Sequence, residues 1–336
     1  MNRAKIVFIA CFILMLCVVG FSQDLISSAD AIHLVERKVK ELNGGRFKAE
    51  SVTFDGDDCI VTGSNGIYKM RAQLHARAAR VLEIFHDGQS YYKWEGITVI
   101  GHRGNVKFAP ENTIPALLKA AELGADLVEI DVRETSDGVL VLMHDDKVER
   151  TTDGRGKIVD LSLARVKKLD AGSWFSDEFQ KVRVPTLREA LEAIRGKVLP
   201  DIDFKAGDPQ KLIDILKEEE LLGKVTLYCG DWDLMQRTIE LAPEGFMLRP
   251  NVPTGFHGLS VVLQTFNPPL VNVNWHQFSE ELVQAIHTSG KKSFLNSMQQ
   301  DTDYVRELMI STLPDYLQSD HLDLLVPLLR EHGLHK

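Results

Sequence analysis

Positive charge is in short supply in this chain. Over 336 residues, 39 lysines and arginines stand against 48 aspartates and glutamates, a net charge of -9. Nucleic acid needs a basic face, so the balance argues against that partner. It does not exclude a small anionic ligand, because a local basic cluster or a metal reverses the sign inside a pocket. Cysteine is equally scarce, at four residues. Cys11 and Cys17 lie in the apolar opening of the chain, which leaves Cys59 and Cys229 in separate regions and excludes a disulfide framework. The apolar run at the start, "IVFIACFILMLCVVG", has 15 residues. That is short of the roughly 20 that span a bilayer. A phosphate loop of the Walker kind is absent too, since "DGRGK" at 153–157 has neither the spacing nor a preceding buried strand.

What is present begins with a targeting pattern. Arg3 and Lys5 precede the apolar run, and Gly20 and Ser22 are small residues spaced for cleavage before Gln23. Residues 1–22 read as a signal peptide. The mature protein is expected to be exported, periplasmic or extracellular, with no stable membrane insertion. Residues 24–95 read as a small α+β domain. Ile32, Val35, Val39 and Leu42 form a helical stripe closed by Gly44-Gly45. Four strand-like runs follow, "FKAESVTF", "DCIVTG", "IYKMRAQLH" and "RVLEIF". One helix and a four-stranded meander resemble the PepSY module, with "YKMRAQLHARAARVLEI" as its strand, turn and strand. That resemblance implies a non-catalytic role on a partner that the sequence does not identify.

From Ile97 the rhythm changes to short apolar strands alternating with amphipathic helices. The strands are "TVIGH", "LVEIDV", "VLPDIDF", "VTLYC", "GFMLR", "LVNVNW", "KSFLN" and "DYLQS". Eight such units over about 240 residues predict a (β/α)8 TIM barrel over 97–336, with a doubly wound sheet as the alternative. One further strand, "VLVLMHD", follows its neighbour after only "RETSDG". So short a link permits only an antiparallel hairpin turning near Ser136-Asp137-Gly138. The turn is expected to bring His144 back to the height of Asp131.

Chemistry in such barrels sits at the C-terminal ends of the strands. Those ends carry His102 and Arg103, then Glu129 and Asp131, His144 by way of the hairpin, and Asp203 and Lys205. Later strands add Asn274, Trp275, Asn296 and Asp320. Residues two apart on a strand share a face, so Glu129 and Asp131 project together, as do Asp203 and Lys205. Converging carboxylates repel one another unless a cation joins them. Three carboxylates without cysteine suit a hard divalent ion, Mg2+ or Ca2+. Arg103 and Lys205 then offer charge to a phosphate oxygen, and two histidines supply an acid and a base. In-line attack on a phosphodiester needs this combination. Asn112 is placed either to help at the phosphate or to cap the helix that follows. Trp174, Trp275 and Asn296 are candidates to line the pocket. Glu111 is read as a support for its loop.

The motifs "GHRG...PENT", "GADLVEIDVRETSDGVLVLMHDDKVERTTDGRG" and "LDAGSWF...VPTLREAL" resemble the glycerophosphodiester phosphodiesterase family, most strongly from 99 to 205. The resemblance implies a (β/α)8 barrel with His102 and His144 as acid and base, and Glu129, Asp131 and Asp203 as metal ligands. It implies a glycerophosphodiester substrate, and an insertion at 145–185 over the substrate end of the mouth. Two departures stand out. The third ligand, Glu in the family's Glu-x-Lys element, is Asp203 here, one methylene shorter. The family's late Trp-Thr-Val-Asn element is "SFLNS", which keeps Asn296 without the tryptophan. Other readings of the same residues are a phospholipase D-like lyase and a non-catalytic binding protein.

Overall fold

The computed structural model describes residues 25–42, 45–76, 78–253, 255–298 and 309–336. The expected signal segment lies outside them. Among the described residues, no helix is long and apolar enough to cross a membrane.

The first compact unit opens with the helix Ser28–Glu41, capped by the Ser27 side chain accepting from Asp30 N–H. Its buried face is Ala31, Leu34, Val35 and Val39, while Ile32 and Leu42 pack at the margin, so the stripe is turned slightly from the expected one. Five antiparallel strands follow in sequential order: β1 (Lys48–Asp55), β2 (Asp58–Ser64), β3 (Lys69–His75), β4 (Arg80–His86) and β5 (Gln89–Lys93). The sequence predicts four. The fifth, "QSYYK", has no apolar alternation and forms because Asp87 and Gly88, both at positive φ, make a tight hairpin out of β4. Cys59, Val61, Met70, Ala72 and Leu74 face the helix in one core, and Cys59 is free. This unit also takes in residues 279–290, which the sequence assigns to the barrel. The Arg37 guanidinium donates to the carbonyls of His287 (2.8 Å) and Thr288 (3.0 Å), occupying the C-terminal carbonyls of the helix Glu280–Thr288.

The second unit contains the eight expected parallel strands: β6 (Thr98–Gly101), β7 (Leu127–Glu134), β9 (Leu199–Phe204), β10 (Val225–Tyr228), β11 (Phe246–Leu248), β12 (Leu270–Asn274), β13 (Lys292–Met298) and β14 (Tyr316–Ser319). They pair in the order β11-β10-β9-β7-β6-β14-β13-β12. A parallel bridge between Asn251 and Asn272 joins the two ends, with Val252 N–H donating to the Asn272 carbonyl at 2.9 Å. The ring is therefore an eight-stranded barrel, and the doubly wound alternative is set aside. Its floor is Ile100, Leu127, Leu270, Phe294 and Tyr316.

The ninth strand, β8 (Leu140–Leu142), pairs antiparallel with β7 as the short link requires. Thr135 N–H bonds the Val139 carbonyl around Gly138 at φ 80°, leaving a three-residue loop. That odd count shifts the register by one, so Asp131 lies opposite Met143 and His144 is the next residue out. The segment after it packs its own small core of Val148, Ile158, Val166, Ala171 and Val184 against Val141 and Met143.

Within the barrel, Asp201 and Arg249 form a buried two-pronged ion pair at 2.7 and 2.8 Å, with Thr226 also donating to Asp201. The guanidinium lies over the Phe294 and Tyr228 rings, at 4.4 and 5.1 Å from their centroids. Removing one partner of such a pair strands a charge in the interior. Asp201→Asn is expected to cost about 3–5 kcal/mol in urea unfolding. A loss below about 1 kcal/mol would show that Arg249 finds water there.

Candidate active site

Pairing of β7 with β9 sets the site. Glu129 is opposite Asp201 and Asp131 opposite Asp203, which stacks four carboxylates in two layers on the inner face. Arg249 takes the charge of Asp201. Oxygens of Glu129, Asp131 and Asp203 lie within 4.8 Å of one another, and all three residues are buried. Burial, with Asp131 and Asp203 nearby, holds the Glu129 carboxyl well above its usual range. Burial and Asp131 push Asp203 up to about 6. Burial alone raises Asp131 as well, but Lys205, Arg103 and the Asn112 amide overcome it and leave that carboxyl low. One Asp203 oxygen, Oδ1, is buried with no hydrogen-bond partner. An orphaned carboxylate oxygen beside two others, in an all-oxygen donor set, fits a hard divalent cation. These three residues are the group that could hold one.

The loop after β6 explains why "GHRG" reads as it does. Arg103 has φ 48° and Gly104 φ 91°, so the chain doubles back at once. A Cβ on Gly104 would lie 2.6 Å from the Ala116 carbonyl carbon, so only glycine fits against that helix. The turn presents Arg103 N–H to Glu129 Oε2 at 2.7 Å and the guanidinium to Glu111 at 3.0 Å, with Asp131 3.4 Å from Nε. Asn112, at φ 55°, neither caps the helix Ile114–Glu122 nor faces away from the carboxylates. Its amide donates to Asp131 Oδ2 (2.7 Å) while its oxygen accepts Asp131 N–H (3.0 Å), fixing the plane of that carboxylate. Thr113 is the N-cap instead, and it makes no side-chain capping bond. Lys205 faces the carboxylates, with Nζ 2.5 Å from Asp203 and 3.2 Å from Asp131.

His102 and His144 each commit Nδ1 to a carboxylate, and among the described residues neither Nε2 has a hydrogen-bond partner. His102 Nδ1 lies 2.6 Å from Asp320, both buried, and His144 Nδ1 lies 2.6 Å from Asp145, both about a third exposed. A ring held this way exposes one nitrogen able to take or give a proton. Burial holds the His144 imidazole below the ordinary histidine range against the pull of Asp131 and Asp145, with Arg103 and Lys205 adding to the effect of burial. Hydrogen bonds from Arg150 keep the Asp145 carboxyl strongly acidic. Sequence reasoning gave no role to Asp145, Arg150 or Asp320. A signal existed for the last: a closed barrel sets β14 beside β6, and the pairing of Ser319 with Gly101 carries Asp320 alongside His102.

The structure thus brings together His102, Arg103, Asn112, Glu129, Asp131, His144, Asp203 and Lys205. It does not join Trp174, Trp275 or Asn296 to them: among the described residues, no hydrogen bond, ion pair or ring contact links these three to the charged cluster. The two tryptophans are each 43% exposed, and Asn296 Oδ1 is buried and unpaired. Trp174 donates to the Ala171 carbonyl and meets Phe175 edge-on; Trp275 meets His276 in the same way. Cys229 is buried and free, and burial holds its thiol protonated.

A family model described as the glycerophosphoryl diester phosphodiesterase family matches residues 102–308, which span this constellation. The chain belongs to that family. It is 35% identical over 246 residues to a glycerophosphodiester phosphodiesterase of Caldanaerobacter subterraneus subsp. tengcongensis, covering 70% of this chain and 98% of the relative. It is 42% identical over 167 residues to glycerophosphodiester phosphodiesterase 1 of Homo sapiens, covering 48% of this chain and 47% of that protein. Among solved structures, a glycerophosphodiester phosphodiesterase from Agrobacterium tumefaciens superposes with a TM-score of 0.63 at 28% identity, covering 69% of this chain and 99% of that one. An Oleispira antarctica phosphodiesterase in complex with the product sn-glycerol-3-phosphate superposes with a TM-score of 0.64 at 27% identity, covering 70% and 97%.

In this family member the crowded carboxylates set a pH dependence. The Asp203 proton stabilises the metal-free fold below the ordinary aspartate range, and that contribution is lost as pH rises through about 6. A cation needs the ionised form, so it competes with that proton. The rise in Tm on adding Mg2+ or Ca2+ is therefore expected to grow from pH 5 to pH 7 and to vanish in Asp131→Asn. A gain equal at both pH values, or kept in that variant, would place the ion elsewhere.

Proposed function

We propose that this chain is a metal-dependent phosphodiesterase that hydrolyses glycerophosphodiesters to glycerol 3-phosphate and an alcohol. The observation that carries the reading is the pair of imidazoles, each fixed at Nδ1 with no Nε2 partner among the described residues, beside three buried carboxylates that converge closely enough to hold a cation. The named activity of its relatives and the glycerol 3-phosphate in the Oleispira enzyme support the same substrate class.

Glu129, Asp131 and Asp203 would hold a divalent ion, Mg2+ or Ca2+, and when bound it would supply positive charge toward the phosphate oxygens. This chain's own residues do the rest. One of His102 and His144 takes the proton of the attacking oxygen at its Nε2; the other, protonated, gives one to the departing alkoxide. Asp320 and Asp145 hold the rings in the tautomer that keeps Nε2 available. The Arg103 guanidinium offers donors to a non-bridging phosphate oxygen, and Lys205 keeps a second cation beside it. Trp174, Trp275 and Asn296 are proposed to border the alcohol end of the substrate. The opening segment supports export, with cleavage before Gln23, to the periplasm or the extracellular medium.

A coupled assay for glycerol 3-phosphate tests the reaction, with glycerophosphocholine and glycerophosphoethanolamine as substrates in EDTA, Mg2+ or Ca2+. Metal-dependent release is expected. His102→Ala and His144→Ala are each expected to lower kcat by at least about 100-fold. Tm should hold in His144→Ala and fall in His102→Ala, which leaves the buried Asp320 carboxylate without its imidazole. Near-normal turnover in either variant removes that residue from proton transfer, and full activity in EDTA removes the metal. No release under any condition, with turnover of a choline lysophospholipid, would favour the lyase.

A further inference from the structure

Resting on that reading, we propose that Arg150 is a positioning residue for His144, acting through Asp145 and braced by Glu111. The guanidinium sits between two carboxylates and engages each with two contacts. Nε donates to Asp145 Oδ2 (2.6 Å) and Nη2 to Asp145 Oδ1 (3.1 Å). Nη1 donates to Glu111 Oε2 (2.7 Å) and Nη2 to Glu111 Oε1 (2.8 Å). Glu111 Oε1 also accepts Arg103 Nη1 at 3.0 Å. A continuous chain therefore runs from Arg103 through Glu111, Arg150 and Asp145 to the His144 ring.

Stability accounts for only part of this arrangement. Glu111, 9% exposed, anchors one end, but at the other end Arg150 and Asp145 are 44% and 31% exposed, where an ion pair adds little to folding. Orientation accounts for the rest. Asp145 follows His144 directly, and among the described residues its carboxylate has one partner besides the imidazole, namely Arg150. A planar guanidinium gripping both oxygens fixes the plane of the carboxylate, which in turn fixes the ring. The backbone of His144 is held separately, since Arg133 donates to its carbonyl at 2.7 and 2.9 Å. Losing Arg150 therefore frees the ring without freeing the chain. His102 needs no such brace, because its partner Asp320 is buried beside it. The more exposed histidine has received the additional support, from the segment that follows it.

The experiment compares Arg150→Ala, Arg150→Lys and Asp145→Asn with wild type in full-length protein saturated with Mg2+. Two readouts are used: 15N–1H spectra of the imidazole rings, with His144 assigned by its loss in His144→Gln, and steady-state kinetics on glycerophosphocholine. In wild type at neutral pH, His144 is expected to carry its proton on Nδ1. In Arg150→Ala and Asp145→Asn, the ring is expected to shift toward the Nε2–H form. For Arg150→Ala, kcat should fall about 10-fold or more with KM within about 2-fold, and the substitution should add nothing in a His144→Ala background. Arg150→Lys, whose single ammonium cannot span both carboxylates, should fall between the two. A ring tautomer unchanged in Arg150→Ala overturns the proposal whatever the activity does. A kcat loss that persists in the His144→Ala background overturns it as well. The spectra require no turnover, so a failure of the phosphodiesterase reading leaves this test standing on its own.

Discussion

Negative charge confined to the inner face of two neighbouring strands is the constraint from which the rest of this site follows. The register of β7 against β9 places Glu129 and Asp131 beside Asp201 and Asp203, and in so dry a setting four carboxylates cannot all ionise unaided. The chain resolves this in layers. The lower carboxylate, Asp201, is matched permanently by Arg249, which is wedged between aromatic rings and has no freedom to leave. The other three, Glu129 beside Asp201 and then Asp131 and Asp203 in the next layer, are approached by Arg103 and Lys205, which are only partly enclosed. A fully buried guanidinium matched to one carboxylate, against two partly enclosed cations shared among the other three, distinguishes a structural pair from a group that could hold a further ion.

The same economy governs the two histidines. Each is useful only if one ring nitrogen is committed and the other is left open, and a neighbouring carboxylate is the simplest way to achieve this. His102 obtains its carboxylate from the closure of the barrel, where the last strand meets the first. His144 obtains its own from the adjacent residue, and an adjacent aspartate is a flexible partner that needs a second contact to hold still. The two rings thus reach equivalent states through unequal surroundings, one rigid by burial and one rigid by a relay of ion pairs.

Local pattern was a good guide wherever one element's fate depended on its own residues. All eight barrel strands were legible as apolar runs, and the antiparallel hairpin followed from a link too short for a crossover. The pattern failed where neighbours decided. The strand Gln89–Lys93 has no apolar alternation and exists because a tight turn returns it to β4. Asn112 reads as either a phosphate contact or a helix cap, yet a left-handed backbone swings its amide onto Asp131. His144 lies one residue beyond the expected height of Asp131 because loop parity is set by backbone hydrogen bonds around Gly138, which no side-chain pattern reports.

By itself, the sequence determined the fold class and the identities of the two histidines, three carboxylates and two cations of the mouth, because strand alternation and short links are local properties of the chain. Only the tertiary structure decided how those groups are paired. It assigned Arg249 to Asp201, Asp320 to His102, and Asn112 to Asp131, and it turned Glu111 and Arg150 into a strut between the two halves of the site. Each of these pairings joins residues far apart in the chain. Which carboxylate a given cation meets depends on strand register and barrel closure, and these are set by packing and backbone pairing around the whole ring.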